Sequence, residues 1–255
     1  MFSIYNLYIN YILIMIVASL ASIPSRIRSL EKTVQSLFNN VSYLHVYLND
    51  YQDVPKFLYN PKIIIARSQD YGNNGDAGKF FWTDKISHKE GGYHFICDDD
   101  IYYTKSYITE MTEQLNKHPN CLISACGSTI PQNFTNYYND RTTYHFHDII
   151  TETKEVDIIG TGTLAYNANK INLNPFIFKY PNMADIWLSL YAKQHNIKML
   201  KISFKGNPRL HLKINTEYNQ HETIYYHSAK LKDQSPFNTS DKQNEIVKLI
   251  VSTRI

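Results

Sequence analysis

Three consecutive carboxylates, Asp98-Asp99-Asp100, close the apolar run Gly92-Tyr93-His94-Phe95-Ile96-Cys97. That run has the length of a buried strand, and a helical pattern begins shortly beyond the triplet. Adjacent carboxylates repel one another, and a fold tolerates them most readily when a cation neutralises them. In open α/β sheets, ligands bind outside the carboxyl ends of the strands. Acids at that position can grip a divalent metal and, through it, a diphosphate. Along an extended backbone Asp98 and Asp100 share one side, and Asp99 faces away toward a ribose or a helix end. The competing reading is a solvated acidic turn that caps the next helix.

Other residues suit the same chemistry. Asp185 opens a helical segment, where a carboxylate can accept a proton from an acceptor hydroxyl; a plain acid in a first helical turn is the alternative. Lys79 offsets phosphate charge or lies solvated on the surface. Arg26, just after Pro24, reaches a phosphate or pairs with Asp50. Gly160 and Gly162 flank Thr161 and precede Thr163, which allows a sugar close to the backbone or simply makes a turn. Trp187 forms an acceptor pocket or packs in the core. His145-Phe146-His147-Asp148 lies in an aperiodic stretch and reads as a loop, an acceptor-side flap.

These residues need elements to hold them. Ile12–Ala18 reads as a first strand buried on both faces, followed by a loop over Ser19–Pro24. Ile27, Leu30, Val34 and Leu37 mark one helix face. Tyr43–Leu48 and Ile63–Ala66 are the next strands. Ala77, Phe80, Phe81 and Asp84 fit a helix, and so do Tyr107, Ile108, Met111 and Leu115. Cys121–Ala125, Val156–Ile159 and Lys198–Ile202 are later strands, with a helix through Met183–Gln194 before the last. The alternation predicts an α/β fold with a mostly parallel sheet and helices on both faces. The segment beyond Asn207 is polar and offers no assignment.

Composition narrows the function classes. The 255 residues are 43% hydrophobic and 19% charged, an ordinary globular balance. A net charge of +3 without a basic stripe argues against a nucleic-acid partner. Cys97, Cys121 and Cys126 are odd in number and form no metal-binding pair, which suits a reducing, cytoplasmic compartment. Met1–Val17 is too short and polar for a spanning helix and lacks the charge pattern of a signal peptide. Residues 1–14 read as a membrane-proximal tail or as an extension ahead of a start at Met15.

The ordered set resembles the GT-A fold glycosyltransferases, nearest to the family-2-like transferases that build bacterial capsule and lipooligosaccharide chains. It comprises an apolar first strand leading to Ala18–Arg26, Leu48-Asn49-Asp50 closing the second strand, Gly75-Asp76-Ala77-Gly78-Lys79, the acidic triplet, and Gly160–Thr163 ahead of Met183–Leu188. The likeness covers about residues 14–205. It implies one GT-A domain over 15–255, with a nucleotide-sugar half (15–126) and an acceptor half (127–255). By the resemblance, Asp98 and Asp100 hold Mn²⁺ or Mg²⁺, with His211 the nearest candidate to complete the shell. Ala18, Ser22, Arg26, Asp50, Asp76, Lys79, Asp98 and Asp99 contact the donor nucleotide, most commonly UDP-linked. Asp185 is the general base, and Gly162, Thr163 and Trp187 face the acceptor. The implied partners are a nucleotide sugar and a glycan or lipid-linked glycan, with peripheral contact at the inner face of a membrane. An inverting transferase is expected; a retaining GT-A enzyme and an inactive sugar- or nucleotide-binding scaffold are the alternatives.

Overall fold

The computed structural model describes residues 15–84, 92–214 and 240–253; the proposed tail over 1–14 lies outside them. The early apolar runs form β1 (Met15–Ser22), α1 (Ile27–Phe38), β2 (Tyr43–Leu48) and β3 (Ile63–Arg67), followed by the single turn α2 (Ser68–Tyr71). β4 (Gly92–Cys97) ends at the acids, and the short β5 (Ile101–Tyr103) and the helix α3 (Lys105–Lys117) come next. β6 (Cys121–Ser124), β7 (Gly127–Thr129), the turn α4 (Tyr137–Asp140), β8 (Thr142–Tyr144), β9 (Lys154–Glu155) and β10 (Ile158–Ile159) lead to β11 (Thr163–Asn167). The chain continues through α5 (Ala184–Gln194), β12 (Lys198–Lys201), β13 (Leu212–Ile214) and α6 (Ser240–Ser252).

Eight strands make one sheet in the order β3-β2-β1-β4-β11-β6-β12-β9. β11 runs antiparallel to both neighbours and β9 antiparallel to β12, while the remaining pairs are parallel. The fold is therefore α/β with a mostly parallel sheet, as the sequence predicts. Leu30, Val34 and Leu37 of α1 and Met111 and Leu115 of α3 pack with Leu20, Phe95 and Cys97 on one face. Ala184 and Leu188 of α5 pack with Ile96, Leu122 and Met199 on the other. β1 has β2 on one side and β4 on the other, so the chain reverses its direction of travel across the sheet there. The loops leaving β1 and β4 diverge at such a switch point and open a crevice at the strand ends. Arg26 follows β1 and Asp98 follows β4, which puts both at its mouth.

Several elements differ from expectation. β1 continues through Ser22, because the polar group that suggested a loop is satisfied inside the sheet. The Ser19 hydroxyl lies 2.6 Å from His94 Nε2, and His94 Nδ1 lies 2.7 Å from the Tyr166 hydroxyl. The helix expected near Ala77–Asp84 is a 3₁₀ segment, Gly75–Phe80, entered at a left-handed Gly75 (φ 53°) that an L side chain adopts only with strain. β11 is absent from the periodicity reading, yet it joins the two parallel halves of the sheet. α6 falls where the sequence gave no assignment, and its Ile246, Val247 and Ile250 pack on Ile186 and Leu190 of α5. No helix among the described residues is long and apolar enough to cross a membrane.

The buried histidines give the fold a pH signature. Burial lowers the His45 pKa to about 4, and burial, followed by the neighbouring His45, lowers that of His94 well below the ordinary value. Both are neutral in the folded chain, whereas an unfolded histidine takes up a proton below about 6.5. The unfolded state therefore binds more protons as pH falls from about 6.5 to 4, and the stability associated with His45 is lost over that window. Its size is on the order of 3 kcal/mol. Asp76, whose carboxyl is pushed up to about 6 by desolvation, acts in the opposite sense. The informative quantity is thus the stability difference between wild type and His45→Gln, from urea unfolding at pH 7 and pH 4.5. Wild type is expected to lose more than the variant on acidification; parallel losses would count against this role for His45.

Candidate active site

The acidic turn is fixed through its backbone. Three hydroxyls spaced along one face of α1 point at it. Ser29 and Thr33 donate to the Asp99 carbonyl at 2.5 and 3.0 Å, and Thr33 also donates to the Ile101 carbonyl at 3.0 Å. Ser36 accepts from the Tyr103 N–H at 3.1 Å. The Tyr103 hydroxyl accepts from the Asp98 N–H at 2.8 Å and donates to the Gly162 carbonyl, which joins the acid turn to the loop between β10 and β11. With buried carbonyls satisfied in this way, the side chains of the triplet remain available for other partners.

Those partners are two cations. Arg26 donates from Nη1 to Asp99 Oδ1 at 2.5 Å and from Nη2 to Asp100 Oδ2 at 3.2 Å. Lys79 Nζ donates to Asp98 Oδ1 at 2.6 Å. Burial disfavours both positive charges, but the surrounding acids outweigh it and raise both pKa values: Asp99, Asp100 and Asp98 for Arg26, and Asp98, Asp76 and Asp185 for Lys79. Burial raises the Asp99 carboxyl against the pull of Arg26. Burial, and next the charge of Asp98, raises that of Asp100. Among the described residues, Asp76, Asp98, Asp99, Asp100 and Asp185 thus cluster about Arg26 and Lys79, and burial holds the proton more tightly on Asp76, Asp99 and Asp100 than on a free carboxyl.

Asp185 lies at the start of α5, across the Gly160–Thr163 turn from the triplet. Its Oδ1 accepts from the Thr161 N–H at 2.8 Å and from the Thr161 hydroxyl at 2.5 Å. Asp76 is half-buried, and its Oδ2 accepts from the Ala184 N–H at 3.0 Å, holding the first residue of α5. The 3₁₀ segment Gly75–Phe80 therefore touches both ends of the site, through Asp76 at α5 and Lys79 at Asp98. Gly162 stands close to the acid turn: a Cβ there would lie 2.0 Å from Asp98 Oδ2, so the Asp98 carboxylate would have to shift.

No family model matches the chain, and no curated protein does. Solved structures similar in shape include S. aureus TarS 1–349 in complex with UDP, at 11% identity and a TM-score of 0.47. They also include TarS 1–349 alone, at 12% identity and a TM-score of 0.46. Each match covers 76% of this chain and 59% of the TarS chain.

The structure brings Arg26, Asp76, Lys79, Asp98, Asp99, Asp100, Gly162 and Asp185 together and leaves other expected residues outside. Ala18 is fully buried and packs in the core beneath the crevice. Ser22 is an exception: its hydroxyl lies 3.2 Å from that of Tyr51 and its side chain also hydrogen-bonds the Asp99 carboxyl, so it stays with the cluster. Asp50 is exposed in a left-handed conformation (φ 58°) and accepts from Asn73 at 2.6 Å, so Arg26 pairs with the triplet instead. Thr163 is buried, its hydroxyl 2.8 Å from that of Ser124. Trp187 packs between α5 and α6, 5.8 Å from the Tyr180 ring, because it lies on the opposite side of α5 from Asp185. His211 stacks on Phe204 at 4.8 Å, and its carbonyl accepts from the Thr104 N–H. That position is four residues along β5 from Asp100, on the order of 13 Å. The structure does not bring His211 to the pair Asp98 and Asp100.

Among the described residues no three His, Cys, Asp or Glu side chains converge on a metal position. A protein-only cage is therefore absent from this part of the chain. Asp98 and Asp100 nevertheless offer hard oxygens close enough for the charge of Asp98 to raise the Asp100 carboxyl, beside a glycine that leaves room for the Asp98 carboxylate. Mg²⁺ and Mn²⁺ commonly take one or two carboxylates together with substrate phosphates. The residues fit such a shared site, in which Asp98 and Asp100 would be the protein ligands.

Proposed function

We propose that this chain is a metal-dependent glycosyltransferase that moves a sugar from a nucleotide-sugar donor, UDP-linked, to a hydroxyl of a growing surface glycan with inversion. The observation that carries the reading is the meeting of two unlike groups at the sheet's carboxyl end. Paired acids and two cations, Lys79 buried and Arg26 half-buried, lie at the switch point, and a separately held carboxylate, Asp185, faces them across one turn. The first group suits a diphosphate and the second a hydroxyl about to lose its proton.

In this reading the acceptor oxygen attacks the anomeric carbon as the bond to the diphosphate oxygen breaks. The hydroxyl proton passes to Asp185, and the nucleoside diphosphate leaves with the bonding electrons. Lys79 and Arg26 pair with carboxylates before the donor arrives, and on binding they turn toward phosphate oxygens. A bound Mn²⁺ or Mg²⁺ adds Lewis-acid neutralisation of the diphosphate. Activity in the cytoplasm, a capsule or lipooligosaccharide product, a lipid-linked acceptor and peripheral contact with the membrane's inner face belong to the same proposal.

The test is calorimetric titration of the protein with UDP, GDP, CDP and dTDP, with Mn²⁺ and with EDTA. One nucleotide is expected to bind about tenfold or more tightly with metal, and Asp100→Ala is expected to remove that gain. A folded protein that binds none of the four would overturn the reading.

A further inference from the structure

Asp185 is the second residue of α5, past the N-cap Met183, and its side chain is held from outside the helix. Here both donors to the side chain come from one residue outside the helix, the N–H and the hydroxyl of Thr161, and both reach the same oxygen, Oδ1. No described residue donates to Oδ2, and Asp185 is part-exposed.

The backbone around Asp185 is pinned as firmly as its side chain. Asp76 accepts from the Ala184 N–H. The Ser189 hydroxyl donates to the Asp185 carbonyl at 2.6 Å and accepts from the Ile159 N–H at 3.0 Å, which fixes α5 to β10. Thr161 is itself 2% exposed, between two fixed neighbours. The Gly160 carbonyl accepts from Ser124 at 2.7 Å, and the Gly162 carbonyl accepts from Tyr103 and from the Asp98 N–H. The loop that orients the carboxylate is therefore the loop that contacts the acid turn.

We propose that Thr161 is the positioning residue of the base, and that Oδ2 of Asp185 is the atom that takes the acceptor proton. Two hydrogen bonds to Oδ1 fix the carboxylate plane and leave one oxygen, in one orientation, for the hydroxyl. The acceptor O–H bond breaks, a new bond to Oδ2 forms, and Thr161 keeps both of its protons throughout. This inference rests on Asp185 being the base, and the test separates the two claims.

Thr161→Val preserves shape and the backbone N–H but removes the hydroxyl; Thr161→Ser restores it. Nucleoside diphosphate release from UDP-glucose, UDP-galactose and UDP-N-acetylglucosamine, with water as acceptor, gives kcat and KM. Carbon-13 labelling of aspartate, with the Asp185 signal assigned by its loss in Asp185→Asn, reports through side-chain couplings whether that carboxylate holds one rotamer. Thr161→Val is expected to lower kcat about tenfold with donor KM within about twofold and to average the Asp185 couplings. Thr161→Ser is expected to recover both. Wild-type kcat and couplings in Thr161→Val, or an equal loss in Thr161→Ser, would overturn the positioning role while leaving the base in place. Wild-type turnover in Asp185→Asn would overturn the base itself, and the inference with it.

Discussion

Replacing Asp185 with asparagine is expected to lower turnover by roughly 10²–10⁴-fold, the usual contribution of a positioned general base. Nucleoside diphosphate affinity is expected to stay within about twofold, because the lost charge acts on the acceptor step. Asparagine has the same shape, and its carbonyl oxygen can accept both Thr161 bonds that Oδ1 now accepts. What it lacks is a second oxygen able to take a proton. Asp185 contributes to the field at Lys79, but less than Asp98 and Asp76 do, so Lys79 keeps its main partners. Turnover and calorimetric affinity measured on one preparation decide the matter. A variant that binds normally and turns over normally assigns Asp185 to the architecture of α5 alone.

Gly162→Ala is expected to weaken metal-dependent nucleotide binding by on the order of 10- to 100-fold, the equivalent of about 1–3 kcal/mol of overpacking. The new methyl group would stand 2.0 Å from Asp98 Oδ2 and 2.5 Å from its Cγ. The backbone cannot retreat cheaply, because the Gly162 carbonyl already accepts from Tyr103 and from Asp98 N–H. The Asp98 carboxylate must rotate instead, which disturbs its 2.6 Å contact with Lys79. Titration with and without Mn²⁺ reads this directly, and thermal unfolding checks that the sheet survives. Undiminished affinity would mean that Asp98 takes no part in holding the donor.

The framework of the site was legible because its signals are local. An apolar run that stops at three acids can be recognised without knowing what packs beside it, and so can the alternation that implies a parallel sheet. Asp185 was legible only as an acid at a helix start, since its link to Thr161 spans 24 residues. Lys79 reads as a surface lysine in isolation but is 3% exposed beneath Asp98. The hydroxyls of Ser29, Thr33 and Ser36 carried a signal that apolar periodicity passes over, small polar residues at helical spacing beside the buried stripe. β11 left almost no trace, because Leu164, Ala165 and Tyr166 are too few to stand out and antiparallel insertion is decided by distant partners. Ala18 and Trp187 were sequence neighbours of site residues whose side chains point into the core.

The position of β11 also constrains the order in which the molecule assembles. β4 and β6 do not pair with each other; each pairs only with β11 on the side where they would otherwise meet. During synthesis the β1–β4 portion therefore emerges with one edge of β4 unpaired, and that edge stays open until Thr163–Asn167 follows, a delay on the order of seconds. Pairings of such long sequence separation form slowly, so this closure is a natural late step in folding. The same step carries Gly162 to Asp98 and brings Thr161 into place. A nascent or truncated chain lacking β11 would hold the acidic turn without its counterpart, so completion of the site and completion of the sheet arrive together.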